Sequence, residues 1–243
     1  MKQLTRRVWY LPHAPETDRP ALGYIRGDDR ALMVDAGNSP AHVRQFLNAL
    51  EAEDLPAPDF VALTHRHWDH TFGLAALPIP AIAGAATARH LERFSAIQWG
   101  ETGLQEYMEL DGLREFSEPH LRLEYPAPAA IRLRPAEITF TDTLELELGS
   151  CRCLLRAIPS PHCEDCVLIH VPSEGVIFPG DACCLRLLRG EWVEDPAGTA
   201  ALLSLLETLP FDTAVVGHDA PVSRAALLAD LRRRLEECPV SRP

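Results

Sequence analysis

The most informative segment of the chain reads Phe60-Val61-Ala62-Leu63-Thr64-His65-Arg66-His67-Trp68-Asp69-His70. Its first four residues are apolar and predict a buried strand, and Gly73 marks a turn beyond it. The polar side chains then lie on a loop and the first turn of a helix. Because His65 and His67 are two residues apart, both can face one metal ion on an extended or tightly turned backbone. Asp69 and His70 can face a neighbouring point, so the spacing indicates two adjacent metal positions.

A histidine-rich surface loop is the alternative interpretation, and it is weakened by similar residues in similar places elsewhere in the chain. Four other apolar runs also end in a turn that carries a metal-competent side chain. These side chains are Asp35, His162, Asp181 and His218. Sites are usually built where strands end, since packed sheets hold the loops rigid. Imidazole nitrogens and carboxylate oxygens suit Zn²⁺, Fe²⁺ and Mn²⁺, and there are enough of them for two ions.

Apolar runs and period-two alternation predict strands in two β-rich halves, at about 1–85 and 131–220. The predicted strands are 4–11, 21–26, 31–34, 60–63, 79–83, 138–140, 144–148, 151–158, 167–171, 176–178 and 214–216. The predicted helices are 40–50, 87–94, 101–116, 199–209 and 221–237. Residues 95–130 separate the halves. They are interpreted either as a helical insertion that covers a site or as an ordinary surface excursion.

Composition and charge narrow the class of protein. The 243 residues carry a net charge of -12, which disfavours a nucleic-acid partner because such binding depends on clustered basic residues. The longest apolar stretch, 74–86, is interrupted by two prolines and a glycine, so no membrane span is expected. No signal peptide is recognisable, and the seven cysteines are expected to be free thiols of a cytoplasmic protein.

The ordered motifs resemble those of the metallo-β-lactamase superfamily. The matching pieces are Val-Asp-Ala-Gly at Asp35, His-x-His-x-Asp-His at 65–70, Ser-Pro-His at His162, Pro-Gly-Asp at Asp181 and Gly-His-Asp at His218. The resemblance implies an α/β fold, a four-layer αββα sandwich in which two mixed β-sheets pack face to face with helices outside. It also implies that residues 1–243 form a single domain, with 95–130 as a helical insertion.

The resemblance further implies a role for each motif residue. The first metal would be bound by His65, His67 and His162, and the second by Asp69, His70 and His218. Asp181 would bridge the two ions. Asp35 would not bind metal but would brace the metal loop, as groups that orient ligands do.

The expected cofactors are two divalent metal ions, with Zn²⁺ preferred and Fe²⁺ or Mn²⁺ as alternatives. The pKa of a water held between cations falls from ~15.7 in bulk to roughly 7 on zinc. A metal-bridging hydroxide can therefore form and attack an electrophilic centre. Asp69 would orient this nucleophile and carry a proton to the leaving group. The expected activity is hydrolysis of a small-molecule substrate, namely an ester, thioester, lactone or related compound.

Two other classes of function stay open at this point. One is an oxidoreductase with a single iron, such as the sulfur dioxygenases of the same superfamily. The other is a non-catalytic metal or redox sensor that uses its cysteines as a switch. The short segment after His218 disfavours glutathione thioesters, whose hydrolases carry a helical C-terminal domain.

The remaining cysteines and histidines have two interpretations each. Cys163 and Cys166, and likewise Cys183 and Cys184, lie close to motif residues in the sequence. They are either small buried packing residues or a redox-sensitive or extra metal-binding set of thiols. Among the histidines outside the motifs, His13 could face the site. The others, which match no motif, are His42, His90, His120 and His170.

Overall fold

The first of two β-sheets is built mainly from the N-terminal part of the chain. The computed structural model describes residues 1–111, 114–188 and 190–238. This sheet has seven strands in sequence order. They are β1 (Lys2–Gln3), β2 (Val8–Leu11), β3 (Leu22–Arg26), β4 (Ala31–Val34), β5 (Phe60–Ala62), β6 (Ala81–Gly84) and β7 (Ile138–Phe140). Neighbouring strands are antiparallel from β1 to β4 and parallel from β4 to β7.

The second sheet comes from the C-terminal part and has the order β15-β14-β11-β10-β9-β8. Its strands are β8 (Thr143–Glu147), β9 (Arg152–Ala157), β10 (Val167–Val171), β11 (Val176–Gly180), β14 (Thr213–Val216) and β15 (Val222–Ser223). Only the β11–β14 pair is parallel among these neighbours. A separate antiparallel hairpin consists of β12 (Arg186–Leu188) and β13 (Glu191–Val193).

Helices cover the outer faces of both sheets. They are α1 (Pro40–Glu51), α2 (Trp68–Thr71), α3 (Ala85–Ser95), α4 (Glu101–Asp111), α5 (Arg114–Glu124), α6 (Pro196–Thr208) and α7 (Arg224–Glu237). Phe46 of α1 and Leu91 of α3 are buried against the first sheet, whereas Leu202 of α6 and Leu228 of α7 are buried against the second. The predicted αββα sandwich is therefore confirmed. None of the helices in the described ranges is both long and apolar enough to cross a membrane.

Alternating side chains let each strand serve two layers at once. In β3, Tyr24 packs under the outer helices, while the next residue, Ile25, joins the core between the sheets. Gly23 also faces the second sheet. A Cβ there would lie 2.5 Å from Cε1 of Phe178, so the absence of a side chain lets the two sheets approach closely.

Several predicted elements differ from the structure. β7 pairs with β6, so the first sheet takes a strand from the half predicted at 131–220, and alternation alone carries no information about the choice of sheet. The strand predicted at 4–11 shortens to Val8–Leu11. The helix predicted from 221 begins at Arg224 because Val222–Ser223 pairs with β14 and the Ser223 hydroxyl accepts from Ala226 N at 3.2 Å.

The segment at 95–130 contains α4 and α5. The single helix predicted at 101–116 is wrong, because Nη2 of Arg122 in α5 lies 2.9 Å from Oε2 of Glu101 in α4, so α5 runs back along α4. Residues 112–113 of the predicted helix lie outside the described residues. Tyr107 of α4 and Trp99 pack edge-on against Phe72, with ring centroids 5.1 and 5.4 Å away. This segment therefore supports α2, the helix that carries Asp69 and His70. Its status as an insertion stays a prediction.

Candidate metal centre

The candidate donor side chains meet because parallel strands end at the same edge of each sheet. β4 and β5 are parallel, so Asp35 and the loop after β5 emerge together. β11 and β14 are also parallel, which brings Asp181 and His218 to one edge of the second sheet. His162 follows β9 in that same sheet. The structure thus brings every motif residue predicted from the sequence into one region.

Asp35 braces the loop between the sheets. Its backbone has a φ of 60°, in the left-handed region, which turns the buried carboxylate toward that loop. Oδ1 accepts from the backbone N of Thr64 at 2.7 Å, and Oδ2 accepts from the Thr64 hydroxyl at 2.9 Å. Oδ2 also lies 2.8 Å from Nδ1 of His70. Because Asp35 holds Nδ1, the Nε2 atom of His70 is left free for a different partner.

The first cluster consists of His65, His67 and His162. Nδ1 of His67 lies 3.0 Å from Nε2 of His65 and 3.0 Å from Nε2 of His162. The opposite ring nitrogens of the two outer residues are held elsewhere. His65 Nδ1 lies 3.1 Å from the Thr64 hydroxyl, and His162 Nδ1 lies 2.8 Å from the carbonyl oxygen of Leu185. Three nitrogens therefore converge on one point, as the ligands of a single metal ion do.

The second cluster consists of Asp69, His70, Asp181 and His218. Oδ2 of Asp69 lies 2.9 Å from His218 Nε2 and 3.1 Å from His70 Nε2. Oδ2 of Asp181 lies 3.3 Å from His218 Nε2 and 3.5 Å from His70 Nε2. Gly217 leaves the space that Asp181 needs, since a Cβ there would collide with its Oδ1.

Asp181 lies between the two clusters. In addition to its contacts in the second cluster, its Oδ2 is 3.8 Å from Nε2 of His162 in the first. The structure thus places Asp181 where the motif comparison expects a bridging carboxylate.

The donor side chains in this structure have the chemistry to hold two metal ions. Among the described residues, buried Asp181 Oδ1 and His70 Nε2 form no hydrogen bond, although Asp69 Oδ2 lies 3.1 Å from His70 Nε2. Such buried atoms are costly unless another ligand satisfies them. The donor atoms of the second cluster all lie within 4.8 Å of one another. Those of the first cluster do the same and include the sulfur of Cys163. These two groups of His, Asp and Cys fit a dinuclear metal centre.

The two clusters differ in charge before any metal binds. Burial, reinforced by neighbouring histidines, holds the pKa values of His65 and His67 well below their usual range. Burial alone would also lower the pKa of His70 and of His218, but the carboxylates of Asp69 and Asp181 outweigh it and raise both well above the usual value. His65 and His67 therefore present neutral nitrogens, whereas the second cluster is a network of carboxylates and protonated imidazoles.

The centre opens into a cavity of about 380 Å³. Its polar side is formed by residues of both clusters, including His67, Asp69 and His218. The opposite side is aromatic. Phe116 of α5 and Trp192 of β13 both line the cavity, and their rings pack edge-on at 5.2 Å. The segment at 95–130 and the β12–β13 hairpin thus form one wall together.

A family model for the metallo-beta-lactamase superfamily matches residues 21–218. The chain belongs to this superfamily. The match spans all of the motif residues, from Asp35 to His218. The comparison with curated proteins found no match.

Solved structures of the superfamily share this fold at low sequence identity. A sec-alkylsulfatase from Pseudomonas sp. is 16% identical with a TM-score of 0.71, over 96% of this chain and 41% of that one. A metallo-beta-lactamase from Pontibacter korlensis is 15% identical with a TM-score of 0.65, over 98% of each chain. A superfamily protein from Sulfolobus tokodaii is 19% identical with a TM-score of 0.62, over 99% of this chain and 90% of that one. The chain therefore spans about two fifths of the length of the alkylsulfatase, and these likenesses show the fold.

Several cavity residues were missed by the sequence motifs. Asp18, in the turn after β2, lines the cavity, and its Oδ1 lies 3.7 Å from His218 Nδ1. Burial, followed by repulsion from Asp69, raises the pKa of Asp18 to about 8. His120, which matched no superfamily motif, also lines the cavity, as does His13. A local signal for Asp18 was its position in the proline-rich loop beside His13, a residue already considered as facing the site.

The two cysteine pairs have different surroundings. Cys163 and Cys166 are buried, and their sulfur atoms lie 3.3 Å apart beside the first cluster. Cys183 packs in the apolar core under α6 and α7. Cys184 lines the cavity, and burial raises its pKa well above the usual value. The packing interpretation therefore describes Cys183, while Cys163 is close enough to the histidines to join them.

Proposed function

We propose that the protein is a metal-dependent hydrolase with two divalent ions, of which Zn²⁺ is preferred. Its substrate is a small ester, thioester, lactone or related compound. The observation that carries this proposal is the pair of donor clusters that share Asp181 on one side of an aromatic-walled cavity. A dinuclear centre next to a cavity is an arrangement that suits a hydrolase with a metal-activated water.

Metal ions at these positions would supply an acidified water and a Lewis acid for the attacked oxygen. The protein's own groups do the rest. Asp69 borders the cavity, and its pKa is held well below the usual range because the neighbouring His70 and His218 outweigh the effect of burial. As an ionised carboxylate it can accept a hydrogen bond from the attacking water and orient it. The same oxygen can then carry a proton to the leaving group.

The cavity favours substrates that are small and largely uncharged. Its volume lies at the lower end of the range of roughly 300–1,000 Å³ for small-molecule sites. Trp68, Phe116 and Trp192 provide an apolar surface for an acyl or alkyl group. No lysine or arginine is among the described residues of its lining, whereas Asp18, Asp69 and Asp181 are. A second anionic group on the substrate would therefore find no lysine or arginine of the described lining to pair with.

The test is an activity panel on purified protein restored with Zn²⁺, Mn²⁺ or Fe²⁺. The panel contains uncharged esters, thioesters and lactones, each paired with an analogue that carries an extra carboxylate, and a phosphodiester. We expect metal-dependent hydrolysis of at least one uncharged acyl substrate and a slower reaction of its anionic analogue. Equal rates with and without metal, or no hydrolysis of any member, would contradict the proposal.

The same samples distinguish the iron oxidoreductase. Oxygen consumption with one iron per chain, in the absence of hydrolysis, would replace the hydrolase by an oxygenase. Bound metal without either reaction would favour the sensor.

A further inference from the structure

Cys163 extends the first cluster from three donors to four. It directly follows His162, and its side chain is buried, with 2% of the residue exposed. The Cys163 sulfur lies within 4.8 Å of one ring nitrogen from each of His65, His67 and His162. Imidazole nitrogens and cysteine thiolates are both usual ligands of tetrahedral Zn²⁺, so three imidazoles and one thiolate would complete a four-coordinate set.

The turn that carries Cys163 is fixed from both sides. Asp165 is buried, and its Oδ1 accepts from Nη1 of Arg66 at 2.6 Å, where Arg66 lies between two histidines of the first cluster. Asp165 Oδ2 also accepts from the Thr87 hydroxyl at 2.9 Å. At the other end of the turn, Ile158 N donates to Cys166 O at 3.0 Å. The loop with His65 and His67 is thus tied to the turn with Cys163, and the relative position of their donors is preorganised.

We propose that Cys163 is a fourth ligand of the first metal position. This inference rests on the metal-binding part of the proposed function and is independent of the substrate. On binding, the thiol releases its proton to solvent and the thiolate bonds to the ion. Without metal, the Cys163 sulfur has the sulfur of Cys166 as its partner, 3.3 Å away.

A thiolate makes the two positions chemically unequal. The first position would have three nitrogens and one sulfur, a soft set that favours Zn²⁺ or Co²⁺. The second has two nitrogens and two carboxylates, which also suit Mn²⁺ or Fe²⁺. Because Asp181 would add a shared carboxylate oxygen to these four donors, little room would remain at the first position, and the exchangeable ligand would belong mainly to the second. The proposal therefore predicts that one chain can hold two different metals.

A disulfide between Cys163 and Cys166 is the competing explanation of their proximity. Both residues are buried, with 2% and 1% of their surfaces exposed. Buried thiols react poorly with oxidants, which disfavours the disulfide. All measurements below include a non-thiol reductant, which removes any disulfide.

Cobalt spectroscopy tests the ligand directly. Protein loaded with Co²⁺ should show a near-ultraviolet thiolate-to-cobalt charge-transfer band that reaches its full intensity with one of the two ions. Cys163→Ser should abolish the band and weaken the binding of one ion in a chelator competition. Cys166→Ser is the matched control in the same turn and should keep the band.

A second measurement needs no variant. X-ray absorption of the unaltered zinc protein should show one sulfur for every two zinc ions, at a Zn–S distance of ~2.3 Å. A wild-type protein that binds two ions without sulfur coordination would overturn the inference. So would retention of the band in Cys163→Ser, or its loss in Cys166→Ser alone. Hydrolysis with two ions and no sulfur signal would refute this inference only, whereas failure to bind any ion would refute the proposed function as well.

Discussion

The two halves of the metal centre are assembled from different donors and carry different charge. His65 and His67 of the first cluster offer neutral imidazoles, and the sulfur of Cys163 is close to them. The second cluster combines two ionised carboxylates with two histidines whose pKa values those carboxylates raise. His65 and His67 can therefore receive a metal ion without releasing protons, whereas His70 and His218 must exchange protons for one. The comparison indicates a division of labour, in which the first half anchors an ion and the second holds the reactive water.

The largest effect is expected from Asp69→Ala, which removes a carboxylate from the second cluster and from the cavity. The value of kcat should fall by roughly 10²–10⁴-fold or more, because a proton carrier and a ligand are lost together. Steady-state kinetics on the best substrate of the panel, with metal content measured in parallel, checks this. Asp142→Ala is the matched control, since Asp142 is exposed in the loop between β7 and β8 and should leave kcat unchanged. Near-normal turnover of Asp69→Ala would refute the division of labour.

Asp35→Asn should weaken metal binding at the second cluster more than at the first. The variant loses the acceptor that orients Nδ1 of His70, a change that typically costs 10–100-fold in metal affinity. Chelator competition on protein with two ions would show one ion weakened and the other nearly unchanged. Asp59→Asn serves as the control. Asp59 also accepts a backbone hydrogen bond, from Ala31 N at 2.8 Å, but this bond involves no motif residue. Equal weakening of both ions would show that Asp35 acts on the whole fold instead.

Lowering the pH should remove the second ion first. A histidine with a raised pKa holds its proton more tightly, so an ion that binds His70 and His218 must displace protons, and its affinity falls as the pH falls. The pKa values of His65 and His67 are lowered, so the first position is affected only at a lower pH. Metal per chain after dialysis between about pH 8 and about pH 5 should decline in two steps. A single step, or earlier loss from the first cluster, would contradict the charge difference.

The smallest effect is expected from a substitution in the aromatic wall of the cavity, which lies outside both clusters. Trp192 is 48% exposed and packs on Phe116, so Trp192→Ala removes part of the apolar surface without touching a donor. The KM for an apolar substrate should rise about 2- to 10-fold while kcat is retained, which corresponds to the usual ~0.5–1.5 kcal/mol of an aromatic contact. Leu123→Ala is the control at an exposed position of α5. A change in kcat alone would argue against a role in substrate binding.

Most of the metal centre could be predicted from the sequence because its signals are local. Each motif follows an apolar strand within a few residues, so the end of the strand and the polar residues are visible together, as for Asp181 after β11 and His218 after β14. The order of the motifs then indicated the superfamily and its layered fold. The structure adds the distances, and it shows that His162 and Asp181 approach residues far away in the chain.

The cavity wall could not be predicted in the same way. Phe116 and Trp192 are 5.2 Å apart in space, yet one comes from a helix and the other from a hairpin, and neither is part of a motif. Asp18 likewise approaches His218 only through tertiary packing. The placement of β7 in the first sheet has the same origin, since a short alternating strand fits either sheet until its neighbours are known.

The most direct test of the account is anomalous diffraction from crystals of the zinc-loaded protein, recorded on both sides of the zinc absorption edge. The account predicts two peaks per chain, one among His65, His67 and His162 and the other among Asp69, His70 and His218, with the carboxylate of Asp181 between them. A single peak, or peaks away from these residues, would contradict it.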